Sequence, residues 1–415
     1  MSTVHIIGAG LAGLSAALDL AEAGRPVVLY ESGPAAGGRC RSYFDRELGC
    51  RIDNGNHLLL SGNTASMRFL DRIGARHTMG GPGAPVFPFI DLATGERWTV
   101  RPGAGRVPWW VFDASRRVAG TALWEYAAIA KLRFADRDAT VAQTLNTGRP
   151  LWRRLLEPLA IAALNTPPDE ALTRLLRPVI DETLMRGGDA CIPLFPRLGL
   201  SESLIDPALA RLATLGATLH TSRRIAGLEI TDGRVTALAT PDGAIPLGAE
   251  DAAVLAVPAW VAASLLPGLT VPDQHQAILN VHFRIDAPLP AGFLGVVGGT
   301  AEWIFAKPGI TSVTVSAANR LIDQPADVLA ARIWADVRAC LNLPEPMPPV
   351  RVVKEKRATF SATAAQHARR PPARTALANL ALAGDWTATG LPATIEGAIR
   401  SGCTAAKLLG HGPQR

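Results

Sequence analysis

The chain has 415 residues, of which 48% are hydrophobic, and this size favours two globular domains over a single small core. Its formal net charge is +6, and the basic residues are scattered without a base-reading motif, so we expect no nucleic-acid binding. Five cysteines without a C-x-x-C spacing indicate free thiols in a reducing cytosol.

The N-terminal segment predicts a dinucleotide-binding unit. Residues 4–7 form a short apolar strand, residues 11–21 carry apolar side chains at helical spacing, and residues 27–30 form a second strand. The pattern G-x-G-x-x-G stands between the first strand and the helix, with Gly8, Gly10 and Gly13 as its glycines and Leu11 and Ala12 before the last one. Gly8 permits the tight turn, Gly10 lets a pyrophosphate approach the backbone, and Gly13 allows close helix–sheet packing. The positive end of the helix dipole then faces the phosphates.

The end of the second strand and the loop after it extend this unit. Glu31 can accept hydrogen bonds from an unphosphorylated ribose, which favours FAD or NAD over NADP. In the loop from Ser32 to Arg39, Gly37 and Gly38 allow the backbone to pass close to the cofactor. Arg39 can neutralise a phosphate charge. An ordinary surface loop is the alternative interpretation.

A second polar, glycine-containing segment spans residues 53–57. Asp53, Asn54, Gly55, Asn56 and His57 follow one another between short strands near residues 43–44 and 58–60. Small and polar residues around a glycine predict another backbone approach, here to the flavin ring. His57 has either a direct catalytic role or the role of a packed structural histidine.

Residues 76–200 have a different character, with clustered prolines and tryptophans. We expect helices over residues 121–134 and 151–164. The second is almost wholly apolar, which indicates either core packing or the wall of an apolar cavity. The loop 107–112, with Trp109 and Trp110, is either a membrane-dipping loop or an interdomain plug.

The α/β pattern returns near residue 200. We expect a helix over 204–215, a strand over 218–225, a hairpin of 227–230 and 234–239 with its turn at 232–233, and a strand over 253–257 in the main sheet. Strands such as 311–315 and a helix over 326–341 follow. The tail then has a strand over 379–383, Gly384-Asp385, and a helix over 392–409 that begins at Pro392 and has Glu396 near its positive end. This predicts a second helix N-terminus directed at a cofactor.

These elements predict an α/β fold with two interleaved domains. The first is a Rossmann-like FAD-binding domain of residues 1–75, 200–264 and 370–415, and the second is an α+β substrate domain of residues 76–199 and 265–369. The chain reaches its first strand within four residues, and the most apolar run, 252–266, contains Pro258 and is short for a membrane span. We therefore expect a cytoplasmic protein without a signal peptide.

Several separated motifs together resemble the amine oxidase and phytoene desaturase superfamily of FAD enzymes over essentially the whole chain. They are Gly8–Gly13, Glu31, Gly37-Gly38-Arg39, Gly384-Asp385 and residues 394–398 (Thr-Ile-Glu-Gly-Ala). Five further segments look like the hopanoid-cluster branch called squalene-associated FAD-dependent desaturases, to which dehydroxylation of hydroxysqualene is assigned: residues 53–57, 163–166, 302–305, 355–360 and 383–394.

The resemblance implies a role for each matched residue. Gly10 and Gly13 would cradle the pyrophosphate, Glu31 would hold the adenosine ribose, and Arg39 would touch a phosphate. The remaining contacts implied are Gly55, Asn56 and His57 at the isoalloxazine, the backbone of Ile225 at the adenine, Asp385 at the ribityl–phosphate region, and the N–H of Ile395 at the pyrimidine edge. Thr394 stands before the tail motif and Cys403 lies well inside the helix, so we expect the FAD to be bound non-covalently.

The leading functional hypothesis is a reductase that delivers hydride to an allylic carbon of hydroxysqualene while the hydroxyl leaves as water. A polyisoprenoid desaturase runs hydride the other way, and the sequence barely separates the two. A flavin amine oxidase and a non-catalytic FAD-binding scaffold are less well supported. Asp53, His57 and Glu396 are the candidate proton donors. The expected partners are an apolar triterpenoid substrate, the surface of the inner membrane and other hopanoid-pathway enzymes, without a metal ion.

Overall fold

The computed structural model describes residues 2–410, so Met1 and residues 411–415 of the predicted terminal segments lie outside it. Its strands, in chain order, are β1 Val4–Ile7, β2 Val27–Tyr30, β3 Ser42–Asp45, β4 Cys50–Asp53, β5 Leu59–Leu60, β6 Met79–Gly80, β7 Phe87–Asp91, β8 Arg97–Val100, β9 Pro193–Pro196, β10 Thr218–His220, β11 Gly227–Thr231, β12 Arg234–Thr240, β13 Gly243–Pro246, β14 Ala252–Leu255, β15 His275–Phe283, β16 Phe293–Val297, β17 Trp303–Lys307, β18 Ile310–Val315, β19 Val350–Phe360 and β20 Leu380–Leu382.

The α-helices are α1 Leu11–Glu22, α2 Thr64–Arg72, α3 Val141–Leu145, α4 Glu157–Leu164, α5 Thr173–Glu182, α6 Asp206–Thr214, α7 Ala259–Leu265, α8 Ala326–Leu341, α9 Ala364–Ala368 and α10 Ile395–Gly410. Two π-helical turns, Trp152–Leu156 and Ser201–Ile205, lead into α4 and α6. Each precedes a proline, Pro158 or Pro207, which lacks the N–H that a regular α-helix requires at that position.

A five-stranded parallel sheet, in the order β10-β2-β1-β14-β20, forms the first half of the molecule. All four residues of β1 are buried, as are all four of β14, because parallel strands are covered on both faces. Helices α1 and α10 pack closely against each other beside this sheet: a Cβ at Gly402 of α10 would lie 2.2 Å from the carbonyl oxygen of Ala12 of α1. The first and last elements of the chain thus meet beside the same strands.

A seven-stranded sheet, in the order β19-β15-β18-β17-β16-β7-β8, forms the second half. Its neighbouring strands are antiparallel except for β16 and β7. One face packs on α8 through apolar residues such as Leu279, Val313 and Ile333. The alternate residues of β15 and β18, including Asn280 and Thr314, hydrogen-bond to the loop after β4 and so face the first half of the molecule.

The fold confirms the predicted α/β class with a Rossmann-like sheet, although several element boundaries were wrong. The segment predicted as a helix over 121–134 is a 3₁₀-helix, Leu123–Arg133, whose buried residues are Glu125, Ala128 and Leu132. The strand predicted over 218–225 ends at His220. Pro392 lies outside α10, because the Thr394 hydroxyl accepts the Gly397 N–H and caps the helix there.

Candidate functional site

The three glycines of the N-terminal turn meet different constraints. Gly8 has φ +102°, and a Cβ there would lie 2.5 Å from the carbonyl oxygen of Ala256. A Cβ at Gly13 would lie 2.0 Å from the carbonyl oxygen of Gly8. A Cβ at Gly10 would meet no heavy atom within 4 Å. Folding therefore requires Gly8 and Gly13, whereas Gly10 borders open space in front of the α1 N-terminus.

The loop after β2 folds back onto this turn. The Glu31 carboxylate accepts the backbone N–H groups of Ala9 at 3.0 Å and Gly33 at 2.8 Å, and Ser32 Oγ lies 3.3 Å from it. The Gly37 N–H donates to the Ala9 carbonyl at 2.9 Å. This places the carboxylate beside the open space at Gly10. The predicted loop is therefore tied to the glycine turn.

The segment after β10 joins the same edge. Backbone N–H groups of Ser222 and Arg223 donate to the carbonyls of Gly33 and Glu31, each at 2.8 Å. Ile225 follows two residues later and is 6% exposed. The structure thus brings the segment that leads to Ile225 next to Glu31 and Ser32, which lie about 190 positions earlier in sequence.

An arginine–aspartate pair links the first loop to the tail. The Arg39 guanidinium donates to Asp385 Oδ1 at 2.7 Å and to the Ala358 carbonyl at 2.6 Å. Gly38, just before it, has φ +56°. On the tail side Gly384 has φ +148°, and its Cβ position lies 2.3 Å from the indole nitrogen of Trp386. The sequence placed Arg39 and Asp385 at one cofactor, and the structure shows them in direct contact.

Arg370 is a functional candidate that the sequence did not mark. Its guanidinium is buried and donates to the carbonyls of Asp385 and Leu391 at 2.9 and 2.8 Å and to Thr389 Oγ1 at 2.8 Å. Burial lowers the pKa of Arg370 to about 10, so it stays charged at neutral pH. It braces the loop between β20 and α10, and no motif distinguished it from the other arginines.

The N-terminus of α10 lies at the end of that loop. Thr394 caps it, and Ile395 is its first residue. Glu396 points elsewhere: its carboxylate accepts the N–H groups of Ala65 and Ser66 at 2.9 and 2.8 Å and the Ser66 hydroxyl at 2.6 Å. Arg400 donates to it as well, at 2.8 Å. These contacts give Glu396 a structural role at the start of α2.

The segment 53–57 lies against the second sheet. Asp53 is buried, accepts Ser42 Oγ at 2.6 Å and the Leu200 N–H at 2.9 Å, and pairs with Lys307. At Gly55 a Cβ would lie 2.9 Å from Asn280 Nδ2, so the backbone must pass close to β15.

The two residues after Gly55 complete this loop. Asn56 Nδ2 donates to Thr314 Oγ1 at 3.1 Å, and the same hydroxyl donates to Asn280 Oδ1 at 2.8 Å. His57 Nδ1 lies 3.3 Å from the Gly55 carbonyl oxygen, and burial lowers the pKa of His57, which favours the neutral imidazole. Asn280 and Thr314 lie more than 220 positions away in sequence, so no local pattern could have joined them to this loop.

Glu302 is a further buried carboxyl group in the second sheet. It accepts the Ser316 N–H at 2.7 Å, and burial raises its pKa to about 7. Its segment, 302–305, carried part of the sequence resemblance, but the sequence did not single it out as an acid. Within residues 2–410 no three metal-binding side chains are placed to share an ion. None of the helices in this range is both long and apolar enough to span a bilayer.

The site has the features that a dinucleotide requires. Open space lies at Gly10 in front of one helix N-terminus, a carboxylate stands beside it, and a second capped helix N-terminus follows the Arg39–Asp385 pair. A parallel sheet with this arrangement, joined to a second sheet across it, defines an oxidoreductase of the flavoprotein class.

Comparison with known proteins identifies the family. Residues 11–409 match the model of the flavin containing amine oxidoreductases, and the chain belongs to that family. It is 48% identical over 98% of its length to a hydroxysqualene dehydroxylase of Sinorhizobium fredii, of which it covers 97%. It is 47% identical over 98% of its length to a hydroxysqualene dehydroxylase of Rhodopseudomonas palustris, of which it covers 98%.

A solved oxidoreductase structure from Methanosarcina mazei shares the fold, with a TM-score of 0.73, 16% identity, and coverage of 98% of this chain and 100% of that one. The family assignment confirms the predicted flavin-dependent oxidoreductase and the resemblance drawn from the motifs.

Proposed function

We propose that the protein binds FAD non-covalently and uses its reduced form to convert hydroxysqualene to squalene. The observation that carries this is the 47–48% identity to proteins named hydroxysqualene dehydroxylase over nearly the whole chain. Matches to zeta-carotene desaturases reach only 17–18% of the chain, which favours the reductase over the desaturase.

The residues that would hold FAD lie on both sides of the parallel sheet edge. Gly8, Gly10, Leu11, Ala12 and Gly13 would form the pyrophosphate turn. Glu31 and Ser32 would face the ribose, and Ile225 would face the adenine. The phosphate–ribityl region would be bound by Gly38, Arg39, Gly384 and Asp385. The flavin ring would be bound by Gly55, Asn56, His57, Thr394 and Ile395. We assign residues 1–75, 200–264 and 370–415 to the FAD-binding domain and residues 76–199 and 265–369 to the substrate domain.

Non-covalent binding is supported by the place of Cys403. It lies inside α10, and its Sγ is 3.3 Å from Ser15 Oγ on α1, at the packed interface of the two helices. Thr394 occupies the position before the helix. Cys403 is therefore turned toward the helix–helix contact rather than toward the N-terminal turn where the flavin edge would lie.

An apolar substrate is supported by the surroundings of α4. Leu159 and Ala163 are only partly buried, and both pack on the same apolar cluster as Trp303 of β17. An apolar wall of this kind would exclude water from the reacting carbon. When bound, reduced FAD supplies the hydride for that carbon. The protein must then supply one proton for the leaving hydroxyl.

The contacts around the three candidate proton donors separate them. Both oxygens of Glu396 accept hydrogen bonds from the start of α2 and Arg400, and both oxygens of Asp53 are engaged by Ser42, Leu200 and Lys307. Neither carboxylate therefore suits direct donation. His57 makes one side-chain hydrogen bond among residues 2–410, to the Gly55 carbonyl, and remains a candidate donor on the loop.

We propose a cytoplasmic location with contact to the inner membrane. The contact is supported by the aromatic segment that begins at Trp109, which is 70% exposed. A membrane contact there would give access to a lipid-soluble substrate. Other hopanoid-pathway enzymes would be partners at the same membrane.

The direction of hydride transfer tests the reaction. The enzyme is reconstituted with 5-deaza-FAD reduced by deuteride, whose carbon-bound label does not exchange with water, and is incubated anaerobically with hydroxysqualene. Squalene with one deuterium at the former carbinol carbon or its allylic partner is expected, because only hydride transfer forms a new C–H bond. The control is oxidised enzyme with squalene, which should form no double bonds at a comparable rate. Unlabelled squalene would contradict direct hydride transfer from the flavin, and desaturation in the control would favour the desaturase.

A further inference from the structure

A small cavity with both polar and apolar lining lies behind the 53–57 loop, between β4 and the strands β15, β17 and β18. Its volume is about 260 Å³, and its inner wall is formed by Asp53, Asn56, His282, Lys307 and Ser312. Its mouth lies at the surface, between the exposed Leu198 and the Arg51–Glu202 ion pair. The loop thus borders this cavity on one side and, under the proposed function, would face the flavin ring on the other.

The inner wall holds polar groups that lack protein partners. His282 is 1% exposed, and its Nδ1 lies 2.7 Å from Ser312 Oγ. The Asp53 backbone lies near the ring, but Nε2 has no well-aligned hydrogen-bond partner among residues 2–410. The same holds for the buried Oδ1 of Asn56. The Lys307 ammonium has three N–H donors, of which the protein uses one, for Asp53.

Buried polar groups without a protein partner require another ligand, because an unmade hydrogen bond of a buried group costs roughly 1–3 kcal/mol. Water needs two to four polar partners and about 30 Å³ per molecule, and the cavity supplies both for several molecules. A small anion is disfavoured, because each cation of the cavity already has its own carboxylate: Lys307 has Asp53 and Arg51 has Glu202.

We propose that this cavity is a water-filled inlet for protons. A proton from the cavity passes the 53–57 loop at Asn56 and reaches the hydroxyl group of the substrate. This rests on the proposed function. The reaction breaks one C–O bond, forms one C–H bond, oxidises the flavin by two electrons and places one proton on the departing hydroxyl, which leaves as water. That proton passes from bulk solvent to the cavity waters at the mouth, then to those held by Lys307 and His282, and finally through a water held by Asn56 Oδ1 to the hydroxyl group of the substrate.

The charges around the cavity suit this role. Burial lowers the pKa of His282 to about 4, so its imidazole is neutral at pH 7 and can hold a cavity water without adding a charge. Lys307 and Asp53 form an ion pair, so their charges compensate each other. Protons can therefore move through the cavity water while the net charge of this pair stays the same. Beyond the cavity, Asn56 leads to the Thr314 hydroxyl and Asn280.

His282→Leu tests the inlet, since it removes both ring nitrogens and keeps an apolar side chain of similar size. Lys307→Met with Asp53→Asn is the second variant, because it removes the ammonium without leaving an unpaired buried charge. Thr311→Val is the matched control: its hydroxyl lies on the neighbouring residue of β18 but bonds to the Ile285 carbonyl, away from the cavity.

The measurement is anaerobic single-turnover reoxidation of the reduced flavin by hydroxysqualene. We expect both cavity variants to be slower by about tenfold or more, the effect of removing an acid–base path, with an altered solvent deuterium isotope effect. Their FAD content and their oxidation by a one-electron dye should equal those of the parent, as should all rates of the control.

A crystal structure gives an independent readout, with water expected within hydrogen-bonding distance of His282 Nε2 and Asn56 Oδ1. A cavity without water, or cavity variants that react as fast as an active parent, would contradict the proton inlet but not the proposed reaction. A parent that does not turn over hydroxysqualene would overturn the reaction and the inlet together.

Discussion

Glycines that look alike in the sequence have different physical functions. Gly13 has a carbonyl oxygen 2.0 Å from where its Cβ would be, whereas Gly10 has nothing within 4 Å. The first distance lies far inside van der Waals contact, so any side chain at position 13 must displace backbone. The space at Gly10 is free for a side chain in the protein alone, and it is the space that a pyrophosphate would occupy.

Gly10→Val should therefore give a folded protein that does not bind FAD. Gly13→Ala should lower the free energy of unfolding by about 2–4 kcal/mol, because overpacking and backbone displacement add. FAD content by absorbance and chemical denaturation of the cofactor-free proteins measure the two effects. A Gly10→Val protein that retains FAD, or a Gly13→Ala protein as stable as the parent, would contradict this distinction.

Among the elements, the segment 106–134 differs most from an ordinary protein surface. It carries five arginines or lysines against two acids, a net +3 out of the chain's +6. Six of its large apolar residues are exposed: Val107, Trp109, Phe112, Leu123, Trp124 and Phe134. Exposed aromatic residues with flanking cations are typical of surfaces that bind anionic lipid. Trp110 packs edge-on against Tyr126 at 5.7 Å, so it belongs to the fold of the segment.

Trp109→Ser with Phe112→Ser should lower sedimentation with anionic liposomes by about tenfold, because each residue contributes burial of a large apolar side chain. These rings are 70% and 64% exposed, so FAD content and stability should stay at the parent level. Phe44→Ser is the matched control, since Phe44 is 61% exposed but lies on the β3–β4 hairpin. Sedimentation of the double variant equal to that of the control would exclude this segment as the membrane contact.

In the whole molecule, the candidate FAD site lies where three parts of the chain meet: the N-terminal glycine turn with its loop, the second sheet and the tail. Arg39 contacts Asp385 and the carbonyl of Ala358, and Arg370 holds the backbone of the tail loop. A cofactor in this position would touch the glycine turn, the second sheet and the tail together. Its binding energy should therefore add to the stability of the whole fold.

Removal of FAD should lower the thermal midpoint, because a ligand at about 100 times its Kd stabilises the native state by about 2.7 kcal/mol. Acid should release intact FAD, since Cys403 packs against α1. Calorimetry with and without added FAD measures the stabilisation, and Gly10→Val serves as a control that should not respond. Flavin that stays with the denatured chain would contradict non-covalent binding.

The sequence by itself determined the parallel sheet, the glycine turn with Glu31 and the helix at the tail. Each follows from a local pattern: a buried run, a glycine spacing or an apolar period. The helix over residues 326–341 was confirmed to the residue for the same reason. The sequence could not show that Trp109 is exposed and Trp110 packs on Tyr126, because the two are adjacent residues of the same type in one loop.

Only the tertiary structure decided which polar groups meet. Lys307, His282 and Asn280 lie on strands more than 220 positions from the 53–57 loop, and their side chains reach it because alternate residues of β15 and β17 face the same way. Glu396 lies within the tail motif in sequence, yet the approach of α2 turns its carboxylate to Ser66. Long-range pairings depend on sheet register and helix packing, which no short window of sequence contains.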